Sequence, residues 1–129
     1  IQHRLGAKQA GALDIQAACT GYLYALSLAK AWVESKIYKN ILVIAAEKLS
    51  SITDYQDRST CILFGDGAAA CVVSQEGIGL EISALKLGAD GEQAGLLMMP
   101  AGGCRQPACN ESLLARNHFI KMAGNEVFK

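Results

Sequence analysis

The sequence lacks both a charge excess and a long apolar run. Its 129 residues carry 12 basic and 12 acidic side chains, which give a formal net charge of zero. A protein that binds nucleic acid in general usually has a basic excess, so this class is disfavoured. The longest apolar run, 41–46, is far too short to cross a bilayer, and we expect no membrane partner.

Proline is scarce as well, and the cysteine count is odd. Two prolines and five cysteines do not resemble a small secreted disulfide scaffold. At least one thiol must stay unpaired, so we expect a reducing cytosol. Apolar residues reach 51% and charged residues only 19%, which is enough apolar material to bury a core and argues against disorder.

Both ends of the chain have the pattern of an interrupted helix. Residues 1–6 resemble a helix tail, in which Gly6 permits a left-handed stop. Residues 124–129 resemble a helix start, with Asn125 as the N-cap and Glu126 near the positive end of the dipole. We therefore expect an internal fragment of a longer protein.

The first part of the chain predicts a β-α-β unit. Residues 12–16 predict a short strand, and apolar residues at three- and four-residue steps over 22–37 predict a helix. The apolar, β-branched run 41–46 is typical of a strand buried on both faces of a parallel sheet. The crossover between the two strands should be right-handed.

The remainder predicts two more strands and two loops. After a polar loop over 47–58, residues 65–67 predict a tight turn that leads into a buried strand at 68–74. Alternation over 80–87 predicts a strand with one wetter face, paired antiparallel with 68–74. Residues 88–117 are rich in glycine, alanine and polar residues and hold both prolines, which predicts a long surface loop.

Cys19 is the strongest candidate for chemistry from the residues alone. It lies between the predicted strand and helix, where the N–H groups of a helix start favour a negative charge. The small residues Ala17, Ala18 and Gly21 allow a sharp turn that projects the side chain, as in a nucleophile elbow. The amide of Cys19 can also donate to an acyl oxygen on its own sulfur. The alternative is a small buried core residue, which is the usual role of an unpaired cysteine.

The other four cysteines give weaker signals. Cys61 and Cys71 fall within apolar runs and are predicted core residues. Cys104 and Cys109 flank a loop segment, where a metal pair would need further ligands that the surrounding spacing does not supply. We therefore expect no metal site.

Four segments together resemble one enzyme family. They are DIQAACTGY at 14–22, YQDRST at 55–60, FGDGAAA at 64–70 and MAGNEVFK at 122–129. In order and approximate spacing they resemble β-ketoacyl-acyl-carrier-protein synthase III, the condensing enzyme that starts fatty acid synthesis of the bacterial type. The resemblance extends over essentially the whole chain, and the loop 91–117 is its least distinctive part.

The resemblance implies a thiolase-like α/β fold. Two similar halves would pack as five alternating α and β layers, and two chains would form a homodimer. Residues 1–92 would belong to the first half, with the active-site cysteine, and residues 93–129 to a variable loop and the beginning of the second half. The N-terminal stretch of the family and most of its second half would be absent from the chain.

The resemblance also implies a two-stage reaction without a metal or organic redox cofactor. The Cys19 thiolate takes the acyl group of acetyl-CoA or another short acyl-CoA. Malonyl-acyl-carrier-protein then loses carbon dioxide and attacks the acyl-cysteine to give a 3-oxoacyl product. The family polarises the malonyl thioester with a histidine and an asparagine that would lie beyond Lys129. His3 and His118 do not match that histidine motif, so we expect the 129 residues alone to be inactive.

Binding roles follow from the resemblance position by position. Arg58 corresponds to the arginine that packs over the CoA adenine, and its planar guanidinium suits stacking. The alternative is a surface arginine beside Asp54 and Asp57. Phe64 corresponds to an aromatic residue that lines the acyl pocket. The wall of the acyl and pantetheine tunnel corresponds to Met122, Gly124 and Phe128. Lys129 corresponds to a basic position that helps to dock the acidic carrier protein.

Two rival interpretations remain open. One is a relative with the same fold, such as a type III polyketide synthase or a hydroxymethylglutaryl-CoA synthase, although residues 65–67 and 122–129 favour synthase III. The other is a truncated, non-catalytic paralogue that serves as a dimerisation or binding module. The location implied by the resemblance is the cytoplasm, with a plastid as the alternative.

Overall fold

The computed structural model describes all residues from 1 to 129. One long helix and a pair of long strands are followed by short helices and strands. In chain order these elements are α1 (Gly21–Glu34), β1 (Asn40–Lys48), β2 (Asp66–Ser74), β3 (Leu97–Met98), α2 (Asn110–Leu114), β4 (Lys121–Met122) and α3 (Gly124–Phe128), with 3₁₀ turns at Ala18–Thr20, Leu49–Ser51 and Gly91–Leu96. None of the helices has the length and apolar character that a membrane span requires.

Helix α1 confirms the helix predicted over 22–37, although it ends before the last predicted turn. Lys36 takes a left-handed conformation with φ +62°. Its N–H donates to the Val33 carbonyl at 3.1 Å, and the N–H of Ile37 donates to the Trp32 carbonyl at 3.0 Å. These two bonds form a Schellman ending, which stops the helix although the apolar pattern continues.

Strands β1 and β2 confirm the strands predicted at 41–46 and 68–74, and they pair in a two-stranded sheet. The prediction that both strands are buried is wrong. Within β1 only Val43 is buried, while Leu42 and Ile44 remain 44% and 39% exposed. The apolar, β-branched pattern thus predicted where the strands lie, but it did not predict that most of their side chains are exposed.

The strands predicted at 12–16 and 80–87 are wrong, because both segments lack regular structure. A strand forms only where a second strand supplies hydrogen-bonding partners, and β1 and β2 pair only with each other. The predicted β-α-β crossover and the predicted antiparallel pair between 68–74 and 80–87 are therefore absent.

The surface loop predicted over 88–117 is only partly confirmed. It contains a 3₁₀ turn, the helix α2 and the strand β3, which pairs antiparallel with β4 through Leu97–Met122 and Met98–Lys121. These elements are very short, so local patterns in the sequence give little sign of them.

The predicted conformations of the chain ends are mostly confirmed. Gly6 is left-handed with φ +66°, and its N–H donates to the His3 carbonyl at 3.0 Å. Helix α3 begins where predicted, and Glu126 lies in its first turn. The predicted cap is wrong, because Ala123 rather than Asn125 is the N-cap residue, and no side chain caps the helix.

Contacts within the chain divide it into two compact units. The first unit comprises Ile1–Ala45 and Ala70–Leu87, and the second comprises Ala46–Ala69 and Gly88–Lys129. The predicted boundary between 92 and 93, which refers to the halves of a longer protein, stays a prediction.

The two units have cores of different character. In the first unit the buried apolar residues are Ala29, Val33 and Val43. In the second unit the buried apolar residues Ala101 and Ile120 are joined by four buried polar ones, Thr53, Asp54, Thr60 and Ser112. Burial in the second unit therefore depends on hydrogen bonds, since a buried polar group without a partner is costly.

Candidate active site

Cys19 lies in the short 3₁₀ turn that leads directly into α1. The residue before it, Ala18, has a left-handed φ of +45°, which L-residues adopt only at a cost. The Cys19 side chain is exposed and unpaired. The predicted sharp turn at a helix start is thus present, while the role of Cys19 as nucleophile stays a prediction.

The N-terminus of α1 is not occupied by a capping side chain. Thr20 is the N-cap residue, but its hydroxyl donates back to the Ala17 carbonyl at 3.0 Å and makes no cap hydrogen bond. The Gly21 N–H donates to the Ala18 carbonyl, and no side chain caps the N–H groups of the 14-residue helix, which begins two residues after Cys19. Such groups stabilise a thiolate and a developing oxyanion.

Tyr22 connects the first turn of α1 to β2. Its hydroxyl donates to the Cys71 sulfur at 3.2 Å. This hydrogen bond, together with partial burial and the nearby thiol, raises the pKa of Tyr22 above its ordinary value. The contact holds the turn that follows Cys19 against the strand.

The remaining cysteines differ from prediction in their burial. Cys61 and Cys71 are only half-buried, so the prediction that they are core residues is wrong. Cys104 and Cys109 are exposed. No three histidine, cysteine, aspartate or glutamate side chains come together as a metal site would require.

Arg58 lies exposed in a loop of consecutive turns in the second unit. Its neighbour Asp57 accepts hydrogen bonds from the Ser59 hydroxyl at 2.6 Å, the Ser59 N–H at 3.0 Å and the Thr60 hydroxyl at 3.1 Å. The Ser59 hydroxyl contributes most to holding the pKa of Asp57 below its ordinary value. These short-range bonds fix the backbone on both sides of Arg58.

Asp54 is a buried carboxylate that sequence reasoning did not identify as an organising group. It is 4% exposed and accepts a forked pair of bonds from Arg116, at 2.9 Å from Nε and 2.5 Å from Nη2. Lys121 lies 3.9 Å away, and the Gln56 N–H donates at 2.9 Å. The Arg116 guanidinium is the main reason that the pKa of Asp54 is well below its usual range.

Three of the predicted tunnel residues line one open groove of about 560 Å³ in the second unit. The groove is lined by Ser59, Leu63, Met122, Gly124, Asn125, Val127 and Phe128. The structure thus brings Met122, Gly124 and Phe128 together, and Phe128 is 94% exposed. Phe64 is half-buried and is not among the lining residues, and Lys129 is exposed directly after α3.

Four groove residues were missed by the sequence analysis. Leu63 adjoins the predicted Phe64, and Asn125 and Val127 lie between predicted tunnel positions, so their place in the same segments was the available signal. Ser59 had no such signal beyond its position next to Arg58.

The tight turn predicted at 65–67 is wrong, because Asp66 and Gly67 are already the first residues of β2. Asp66 accepts hydrogen bonds from the Ser50 hydroxyl at 2.6 Å and the Ser50 N–H at 2.8 Å, and these bonds lower the pKa of Asp66. A shallow depression of about 380 Å³ lies beside it, lined by Ala46, Glu47, Lys48, Asp66, Gly67 and Ala68.

The two histidines occupy different environments. His3 is exposed. His118 packs on Phe119 with 4.1 Å between ring centroids, and its Nδ1 is buried without a hydrogen-bond partner. Neither position changes the expectation that these histidines are not catalytic.

Comparison with known sequences identifies relatives of the chain. The sequence model of the family described as 3-Oxoacyl-[acyl-carrier-protein (ACP)] synthase III matches residues 13–91. The Beta-ketoacyl-[acyl-carrier-protein] synthase III of Chlamydia pneumoniae is 58% identical over 129 residues, which are 99% of this chain and 38% of that protein. The chain spans about two fifths of the length of the curated relatives it matches.

Solved structures show the same relationship. A 3-oxoacyl-(acyl-carrier-protein) synthase III is similar with a TM-score of 0.86 and 36% identity, over 98% of this chain and 41% of that one. The synthase III of Aquifex aeolicus VF5 is similar with a TM-score of 0.78 and 42% identity, over 98% and 36% of the two chains. The predicted thiolase-like α/β fold is confirmed by these likenesses. Because the family model matches more than half of its residues, the chain belongs to the 3-oxoacyl-[acyl-carrier-protein] synthase III family.

Proposed function

We propose that this chain carries the acyl-accepting cysteine of a synthase that starts fatty acid synthesis. The observation that carries the proposal is the exposed Cys19 thiol at the uncapped N-terminus of a 14-residue helix, in a chain of this family. A thiolate is the nucleophilic form of cysteine, and a helix N-terminus stabilises it.

The proposed reaction has two stages that exchange one thioester for another and then form a carbon–carbon bond. The Cys19 sulfur attacks the carbonyl of acetyl-CoA or another short acyl-CoA, a new C–S bond forms, and CoA leaves as its thiol. Malonyl-acyl-carrier-protein then loses carbon dioxide, and its carbanion attacks the acyl-cysteine. The product is 3-oxoacyl-acyl-carrier-protein, and Cys19 is released for another cycle.

The second unit supplies the proposed binding surfaces. Arg58 would pack on the CoA adenine, and the groove with Met122, Gly124 and Phe128 would hold the acyl and pantetheine arm. Phe64 would border the acyl group, and Lys129 would attract the acidic carrier protein. The largely apolar lining of the groove supports this assignment, since small-molecule and cofactor sites are concave and mostly apolar.

Condensation needs two polarising side chains that the 129 residues do not supply. The polarising histidine and asparagine of the family match no residue of the 129, so the complete polypeptide is needed for condensation. We propose a homodimer that uses no metal or redox cofactor. We also propose action in the cytosol, which five unpaired thiols and the bacterial relatives support.

A reconstitution assay tests the proposal. The complete polypeptide, given acetyl-CoA and malonyl-acyl-carrier-protein, should release carbon dioxide and form acetoacetyl-acyl-carrier-protein. The 129 residues alone should form none. A complete polypeptide that is folded and dimeric but makes no product would instead support the non-catalytic paralogue.

A further inference from the structure

Arg58 is an exposed side chain on a backbone that is anchored at both ends by buried polar groups. Asp54, before it, is 4% exposed, and Thr60, after it, is fully buried. Between these anchors the Asp57 N–H donates to the Asp54 carbonyl at 3.0 Å, and the Thr60 N–H donates to the Asp57 carbonyl at 3.2 Å. The backbone that carries the long, exposed Arg58 side chain is thus held on both sides.

The anchor at Asp54 is held from a distant part of the same unit. Its carboxylate receives both forks of Arg116, which lies 62 residues away in sequence. Arg116 is itself fixed, because its guanidinium carbon lies 4.8 Å from the centroid of the Phe119 ring. The neighbouring backbone is joined as well, since the Ile120 N–H donates to the Ile52 carbonyl at 2.8 Å.

From this geometry we infer that Asp54, clasped by Arg116, is a positioning residue for Arg58 and thereby sets the affinity for the nucleotide end of CoA. The inference rests on the proposed role of Arg58 at the adenine. A planar stacking contact depends on orientation, so a loosened loop weakens it even when Arg58 is unchanged. If the loop around Arg58 loses its order in a variant, CoA binding must order it again, and this costs binding free energy.

The test compares two acyl donors in the complete polypeptide. Acetyl-CoA carries the adenine nucleotide, whereas S-acetyl-pantetheine lacks it, so the ratio of their kcat/KM values isolates the nucleotide contact. Asp54→Asn should lower kcat/KM for acetyl-CoA by about three- to tenfold, the range for one long side chain that must be ordered on binding. It should change kcat/KM for S-acetyl-pantetheine by less than about twofold.

Companion variants separate positioning from general stability. Arg58→Ala should lower the same ratio, and the Asp54→Asn, Arg58→Ala double variant should lower it no further, because both changes act on one contact. Arg116→Lys keeps the charge but loses the fork, and should give an intermediate ratio. Asp66→Asn makes the same chemical change at another hydrogen-bonded carboxylate of this unit and should leave the ratio unchanged.

The outcomes distinguish this inference from the proposed function. If Arg58→Ala lowers the ratio while Asp54→Asn and Arg116→Lys do not, or if they slow both donors equally, the positioning role is refuted and the CoA role stands. If Arg58→Ala leaves the ratio unchanged, the CoA role of Arg58 fails and the inference fails with it. Should Asp54→Asn not fold, the ratio for Arg116→Lys decides the question.

Discussion

The two compact units position their proposed functional side chains by different physical means. In the first unit Cys19 is placed by regular structure, at the start of a 14-residue helix whose first N–H groups have no side-chain cap. In the second unit Arg58 is placed by irregular structure, a run of turns held by aspartate side chains and by the ion pair between Arg116 and the buried Asp54. The buried residues of the first unit are all apolar, whereas the second unit buries four polar residues beside two apolar ones.

This difference matches the chemistry proposed for each unit. A nucleophile benefits from the electrostatic field of a helix end, which the backbone supplies without any charged side chain. A residue that recognises a large nucleotide needs a fixed orientation instead, and turns held by hydrogen bonds and an ion pair supply it. Four predictions, from the largest expected effect to the smallest, separate the two cases.

Replacing Cys19 by serine should lower acyl transfer from acetyl-CoA by about 1,000-fold or more in the complete polypeptide. The serine hydroxyl would need a base to activate it, and a helix end alone does not provide one. The measurement is single-turnover transfer from radiolabelled acetyl-CoA. Cys104→Ser, at another exposed thiol, is the control and should retain the original rate. Transfer at the original rate by Cys19→Ser would show that Cys19 in the first unit is not the acyl acceptor.

Shortening a core side chain should affect the first unit more than removing a surface charge from the same helix. Val33 is 4% exposed in α1, so Val33→Ala should lower the free energy of unfolding by about 2 kcal/mol. Lys30→Ala, on the same helix, should change it by less than about 0.5 kcal/mol. Urea unfolding with hydrogen exchange of the 21–34 peptide measures both, and equal losses would show that α1 is not held by its apolar face.

Removing one buried hydroxyl should weaken the second unit but not the first. Ser112 is 2% exposed, and its hydroxyl accepts from the Cys109 N–H and donates to the Cys109 carbonyl, both at 2.9 Å. Ser112→Ala should therefore cost about 1 kcal/mol of unfolding free energy. Ser35→Ala, at an exposed serine after α1, should cost less than about 0.5 kcal/mol by the same urea measurement.

Low pH should weaken a contact of the second unit, and high pH should weaken a contact of the first unit. The pKa of Asp54 is lowered in the folded state, so the clasp is fully stabilising above about pH 4 and weakens as pH falls towards the folded pKa. The pKa of Tyr22 is raised, so its contact is present below pH 10.0 and is lost as pH rises through the folded pKa. Arg116 in the first contact and Tyr22 in the second are each more than a third exposed to solvent, which makes this the smallest of the four effects.

Side-chain NMR of the complete polypeptide, with ¹³C-labelled aspartate and tyrosine, measures these shifts directly. Asp54 should remain ionised at a pH where ordinary aspartates are protonated, and Tyr22 should remain protonated where ordinary tyrosines ionise. Arg116→Lys should move the Asp54 titration upwards, and Cys71→Ala should move the Tyr22 titration downwards. An Asp54 that titrates normally in the unmodified protein would contradict the clasp.

The sequence predicted the elements of the first unit whose pattern is local. The apolar stripe of α1 and the β-branched runs of β1 and β2 carry their own periodicity, so the segments 22–37, 41–46 and 68–74 were found. The strands at 12–16 and 80–87 were wrong, because pairing depends on a partner that no local pattern reveals.

The second unit was less accessible to sequence reasoning. The Asp57 turn has a local signal, an aspartate two residues before a serine. Five of the seven groove residues lie in the motif at 122–129, whereas Ser59 and Leu63 come from other segments. The clasp between Asp54 and Arg116 joins positions 62 residues apart and leaves no periodic trace. Asp54 and Arg116 look like ordinary loop charges until the fold brings them together.

The most direct test of the central claim is mass spectrometry of the complete polypeptide after mixing with acetyl-CoA in the absence of malonyl-acyl-carrier-protein. Because no second substrate can remove the acyl group, one acetyl should accumulate per chain. Proteolysis at mildly acidic pH should find it on Cys19. An acetyl group on Cys61, Cys71, Cys104 or Cys109 instead, or a folded protein that acquires none, would contradict the account.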